Sequence, residues 1–289
     1  MKTAVLSQRR TRPDFKPAEL SIVASGAARM TMPELAALRK ESLPNLPVPL
    51  SPLLLRHSDE QTLAALAAIS KATKSIAMAS KDFRDWAIVS SSRSLGRGAF
   101  AAVVDKYRSE GPWGVSVQVI PHCTAHAVAG TLSLAIGSHG PCSGTGGREV
   151  DAVLSAASIL RQPGWCGAWI VFSAWLPELA IDTSGRPTSD SICMAAAIAV
   201  TRQRSACSLG TIRIAAPRAA DLASRDASEG EASSVGFTEF LCDQSGHRRS
   251  WASPATSAVQ IEVDLARGSW REPVRPTSAD KIRRSCCVA

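Results

Sequence analysis

The chain has 289 residues, 45% of them hydrophobic, and a formal charge of +8. That length supports a large buried core in one long domain or two. No apolar run approaches the roughly 18 residues that cross a bilayer, so neither a membrane span nor a membrane-bound partner is expected. The start, MKTAVLSQRRTRPDF, lacks a sustained apolar stretch, so no secretory signal is expected. The eight cysteines are scattered without a paired C-x-x-C. They read as reduced thiols of a cytoplasmic protein rather than a disulfide framework. Much of the basic excess sits at the two ends, in Arg9, Arg10, Arg12 and Lys16, and in Arg267, Arg271, Arg275, Lys281, Arg283 and Arg284. Solvated termini account for it, and nucleic acid is not an expected partner. A basic module binding nucleic acid through its tails is the third of three functional readings.

In chain order, residues 3–7 fit a first strand. A short helix is expected over 33–38, with Thr31 or Met32 at its cap and Pro33 in the tolerated first turn. Residues 42–52, SLPNLPVPLSP, form an extended connection, because repeated prolines oppose helix and central strand alike. Ser58 or Asp59 caps a helix running to about Met78, with Leu63, Leu66, Ala67 and Ile69 on its buried stripe. Residues 86–90 make a buried strand, 91–98 a loop, 99–108 a helix broken at 111–114, and 115–119 an alternating half-buried strand. A small-residue helix over 124–136 leads to the Gly140-Pro141 turn, a glycine-rich loop and a helix over 148–161 ended by Gln162-Pro163-Gly164. Residues 168–172 are continuously apolar, as in a strand covered on both faces. Strand–helix alternation to this point predicts a mainly parallel, layered sheet. Further strands fit 193–201, 211–215 and 258–265. Residues 224–234 read as a polar surface loop, and 267–289 as a basic disordered tail.

The stretch from Val119 to Glu149, VIPHCTAHAVAGTLSLAIGSHGPCSGTGGRE, carries most of the functional signal. Its small-residue helix, Gly137-Ser138-His139-Gly140-Pro141 turn and following helix resemble the segment leading to the nucleophile in β-ketoacyl synthases of the thiolase superfamily. LSPLLLRHSDEQTLAALAAISKA and AIVSSSRSLG are similar to that family's packed helix and its serine-rich loop near the dimer interface. The resemblance covers less than half of the chain. It implies an α/β fold, a thiolase-like layered α/β/α sandwich with a shortened C-terminal half. It implies one domain over 1–266, with an N-terminal half (1–176) and a reduced half (177–266).

In that family a reactive cysteine stands at the helix start. Counting from the proline lands on Glu149, or near Gly146 if the loop is shortened. The family's two later histidines have no counterpart, since only His247 follows residue 139. The resemblance therefore implies a non-condensing, chain-length-factor-like subunit of fatty-acid or polyketide-type synthesis. It implies a homodimer, or a heterodimer with an active ketosynthase, an acyl carrier protein as a further partner, and no cofactor. The 124–136 helix and its adjoining strand would form much of the interface.

The residues themselves leave other chemistry open. Cys142, with His126 or His139 as its base, is the candidate nucleophile of an active acyltransferase, the second reading. Cys123, expected at a helix start beside His122, could be acidified there. His122, Cys123 and His126 have ligand chemistry but no distant fourth ligand, so no metal site is expected. The SGTGG loop could cradle a phosphate, though no Walker lysine follows. Cys286-Cys287-Val288-Ala289 formally fits a prenylation box.

Overall fold

The computed structural model describes residues 17–40, 43–75, 82–116, 119–146, 148–178, 180, 182, 191–204, 208–216, 235–243, 249–253 and 259–266. The strand expected over 3–7, the loop at 224–234, His247, the basic ends and the prenylation box lie outside the described residues. In chain order the elements are β1 (Ala18–Met30), α1 (Met32–Leu38), α2 (Pro52–His57), α3 (Glu60–Ser75), β2 (Trp86–Ser92) and α4 (Arg97–Glu110). A 3-10 turn, Pro112–Gly114, precedes α5 (Val119–Cys123), α6 (Ala125–Ile136), β3 (Cys142–Thr145), α7 (Glu149–Arg161) and β4 (Gly167–Leu176). The remainder is β5 (Ile192–Thr201), β6 (Gly210–Ala215), α8 (Val235–Cys242), β7 (Arg249–Ala252) and β8 (Gln260–Leu265).

The strands form one eight-stranded sheet in the order β3-β2-β4-β5-β1-β6-β8-β7. Its two faces carry separate apolar clusters. Trp86, Ile88, Trp169, Val171, Ala195 and Ala197 join α3 and α6 on one face. Ala87, Val89, Ile170, Phe172, Ala196 and Ile198 join α7 and α8 on the other. Alternate residues of one strand thus serve opposite layers, as the pleat requires, and the result is a helix–sheet–helix sandwich. Among the described residues no helix is long and apolar enough to cross a membrane.

The expectation of a mainly parallel sheet is wrong. Only β2 with β3 and β2 with β4 are parallel. The pairs β1–β5, β1–β6, β4–β5, β6–β8 and β7–β8 are antiparallel. Strand–helix alternation holds only from β2 to β4. A parallel pair needs a long crossover, whereas β5 follows β4 and lies directly beside it in the opposite sense.

None of the described residues of the strand expected over 115–119 is strand. Val115 follows the 3-10 turn and Val119 opens α5. A period-two pattern becomes a strand only where a neighbouring edge accepts it, and the edge beyond β2 is taken by β3. That strand lies inside the glycine-rich segment expected to be a loop. The loop expected over 91–98 is shorter than expected, because β2 keeps Ser91 and Ser92 and α4 begins at Arg97. Strand β4 likewise runs on to Leu176.

Besides β3 and α5, four elements were not anticipated: β1, α2, α8 and β7. The largest is β1, a 13-residue strand, AELSIVASGAARM. Its alanines, serines and glycine are poor local strand formers, yet it lies between β5 and β6 near the sheet centre. Small side chains are what this place needs. A Cβ on Gly26 would run into Ala68 O and Ala72 N of α3, so the helix rests almost on the strand backbone. Alanines 24 and 28 of β1 and 195, 197 and 199 of β5 belong to the same cluster. The expected helix forms as α3, with Leu63, Leu66 and Ile69 fully buried. The proline-rich connection over 43–51 is irregular, as expected. It is tied to α3 by hydrogen bonds from Ser70 Oγ to Pro44 O and from Thr73 Oγ1 to Asn45 O (3.0 Å), and to α6 by Val48 N to Ala135 O (3.0 Å).

Candidate functional site

Strands β3, β2 and β4 run side by side in one direction, so their carboxyl ends share one rim. Open α/β sheets place ligands at such rims, where loops and helix starts converge. Here the apolar sequence gives way to hydroxyls, in Ser90-Ser91-Ser92 of β2 and Ser173 of β4, all buried. Ser92 Oγ and Ser173 Oγ lie 2.7 Å apart, and Ser173 Oγ donates to Gln61 Oε1 at 3.0 Å. The Gln61 amide nitrogen donates to Arg93 O at 2.7 Å. Thr145 at the end of β3 donates its hydroxyl to Ser90 O at 3.1 Å. Each bond is worth little net, but an unmade one in this buried setting would be expensive. The network therefore fixes the first turn of α3 against the ends of β2 and β4.

Asp59 precedes α3 and accepts from Gln61 N at 2.8 Å, a helix cap. It is 6% exposed. Burial, then the neighbouring Glu60 charge, pushes its carboxyl up to about 7, although Gln61 and Gly96 N–H groups pull the other way. Glu60 pairs with Arg39 at 2.5 Å. At the outer lip, Glu178 Oε1 accepts from Arg97 Nη1 at 2.7 Å and from Ser94 Oγ at 3.0 Å.

Glu149 is the first residue of α7 and is buried. Thr238 Oγ1 of α8 donates to its Oε1 at 3.1 Å. Burial raises the carboxyl above its usual range, opposed by its own backbone N–H, by Thr238 and by the Arg93 charge. Gly146, the other candidate position, is exposed in the turn before α7. The helix start after β3 thus presents a carboxyl held in place by a hydroxyl.

The remaining candidates lie apart from this point. Cys142 opens β3 opposite Ile88, at the far end of the strand from α7. A rise of about 3.3 Å per residue puts it some 10 Å from the rim. Its Sγ lies 3.6 Å from Gly140 O, and burial raises the thiol, with Ser133 opposing. His139 is exposed and lines a shallow groove of about 510 Å³ with Phe83, Arg84 and Val48. His126 is exposed on α6. Among the described residues no hydrogen bond joins either histidine to Cys142.

Cys123 does not sit at a helix start. It ends α5, where the helix dipole disfavours a thiolate. Burial and the Asp59 and Glu60 charges push it up to about 11, so the expected acidified thiol is corrected. Nor do His122, Cys123 and His126 converge: among the described residues no group of three metal-ligating side chains forms, and the ring of His122 stacks instead on His57 with centroids 6.0 Å apart. In SGTGG, the residues from Ser143 to Thr145 are strand rather than phosphate cradle. The rim partners Asp59, Gln61, Arg93, Ser173, Glu178 and Thr238 were not legible as a group. The run of three serines closing an apolar strand was the available signal.

No protein-family model and no characterised protein matches the chain by sequence. Solved structures do. The ishigamide ketosynthase/chain length factor superposes with a TM-score of 0.51 at 13% identity, over 86% of this chain and 99% of that one. AntDE:AntF, a type II PKS acyl-carrier protein in complex with its ketosynthase bound to the hexaketide, gives 0.56 at 11% identity, over 87% and 100%. The chain therefore has the thiolase-like fold of the ketosynthase and chain length factor proteins.

Proposed function

We propose that this protein is a non-condensing, chain-length-factor-like subunit of fatty-acid or polyketide-type synthesis. The observation that carries the reading is Glu149 at the first residue of α7, buried and hydrogen-bonded to Thr238. Condensing enzymes of this fold require an acyl-carrying thiolate at that helix start. A carboxyl has no sulfur on which to carry the acyl chain as a thioester. Cys142, the alternative nucleophile, lies at the wrong end of β3, and its thiol is raised rather than activated. In this reading residues 1–266 act as one unit, the protein works in the cytoplasm, and it needs no cofactor. It pairs with itself or an active ketosynthase through α6 and the open edge of β3, and the assembled pair receives an acyl carrier protein.

The test is incubation with acyl thioesters followed by intact-mass measurement, alone and with a candidate ketosynthase. The expected result is no acyl adduct on this chain and a stable complex with the ketosynthase. An adduct lost in Cys142→Ala would establish the acyltransferase instead. A chain that forms no complex with itself or any ketosynthase would overturn the partner reading.

A further inference from the structure

Helix α4 is unlike the other long helices. None of its 14 residues is fully buried, yet it carries an apolar stripe. Phe100 is 44% exposed, Val104 47% and Tyr107 55%, and Trp113 just beyond the helix is 97% exposed. Residues spaced by four and three fall on one side of a helix, so Phe100, Val104 and Tyr107 form a continuous strip facing solvent. Large apolar side chains grouped on one exposed face mark an interaction surface.

The strip reads the same from both ends. About a centre between Val103 and Val104, Phe100 mirrors Tyr107, Val103 mirrors Val104, and Arg97 mirrors Glu110. A two-fold contact requires such self-complementarity, since one patch must be its own partner. We propose that a second copy of this chain docks here, with the two α4 helices packed antiparallel about that centre. Phe100 then meets Tyr107 of the second copy at the same height, twice over, with the valines between them. Aromatic pairs of this kind add to the apolar burial. At each end the basic Arg97 stands level with an acidic Glu110, so no like charges oppose one another. Trp113 extends the covered strip past the end of α4. This surface is distinct from α6 and β3, and the inference stands whether or not the protein is a chain-length-factor-like subunit.

The experiment is analytical ultracentrifugation of the full chain, as wild type and as Val104→Arg. The wild type should self-associate at high concentration, and association through this strip should be at least tenfold weaker in the variant; if α6 and the β3 edge also pair two copies, the wild type should reach four times the chain mass and the variant stop at twice. The substituted side chain is exposed, so at concentrations where both proteins are monomeric the melting temperature should not change, which separates lost docking from lost folding. Val104→Cys should give a covalent dimer on mild oxidation beyond the wild-type background, and Ala102→Cys, on the opposite side of α4, should not. Unchanged association of Val104→Arg, or equal cross-linking of the two cysteine variants, would overturn the proposal. So would a wild type that stays monomeric at high concentration. Loss of ketosynthase binding in Val104→Arg, with self-association intact, would assign the strip to a different protein and overturn the second copy as its occupant.

Discussion

The centre of the sheet and its carboxyl rim use burial in opposite ways. At the centre, β1 and β5 turn alanines and Gly26 toward α3, which lies close enough that a methyl on Gly26 has no room. The side chains facing α3 there are mostly small and apolar, and stability comes from close approach and excluded water. At the rim, where β2 and β4 end and α3 and α7 begin, buried positions hold Ser90, Ser92, Ser173, Gln61, Asp59 and Glu149. Most of these groups are satisfied by one another, but two carboxyls are held above their ordinary range. Polar side chains fill that end although the cores beside them are apolar, which is the usual mark of a site as against a core. One backbone frame therefore carries both a rigid, neutral heart and a polar, pH-responsive mouth.

Substitutions should separate the two regions. The largest effect is expected from Trp169→Ala. This indole is fully buried and packs edge-on against Phe83 with centroids 5.5 Å apart. The loss should be about 4 kcal/mol, read as a fall in the urea midpoint, with the midpoint shift independent of pH. Gly26→Ala should lower the same midpoint by about 3 kcal/mol, because backbone rather than a flexible side chain blocks the added methyl. A mild effect there would mean that α3 can lift from β1, and the contrast drawn above would weaken.

At the rim the expected signature is pH dependence. Asp59 is raised from 3.8 to about 7, so between those values the folded state binds more protons than the unfolded one. Stability must then fall as pH rises from about 4 towards 7 and level off beyond it. Asp59→Asn retains an oxygen for the Gln61 N–H and should flatten that slope, leaving the variant more stable than wild type at pH 8. Denaturation midpoints measured from pH 4 to 8 check this; parallel profiles would remove Asp59 as the source. Glu149→Ala orphans the Thr238 hydroxyl and should lower stability by about 1–2 kcal/mol. The smallest change is expected for Arg97→Ala, about 0.5 kcal/mol at low salt, because its ion pair with Glu178 is nearly half exposed.

Much of the fold was legible residue by residue wherever local chemistry and final place agreed. Pro33 after Thr31 marked α1, Asp59 marked the start of α3, and Gln162-Pro163-Gly164 marked the end of α7. The apolar runs at 86–90 and 168–172 became β2 and β4. Where the two disagreed, the reading failed. The small residues of β1 have no strand signal of their own, and the alternation at 115–119 is not strand at Val115, Ser116 or Val119. Glu149 follows from counting from Pro141 as the resembled family counts, whereas Thr238 reaches it from 89 positions away along the chain.

The chain alone therefore determined which segments are helix or strand when caps, prolines and apolar period agree, and which carboxyl follows the Gly140-Pro141 turn. Those features depend on neighbours within a few positions. Only the tertiary structure decided the strand order, the antiparallel majority, the place of β1 beneath α3 and the protonation behaviour of Asp59. Each of these depends on groups distant in sequence meeting in a space from which water has been removed, and no local pattern encodes that meeting.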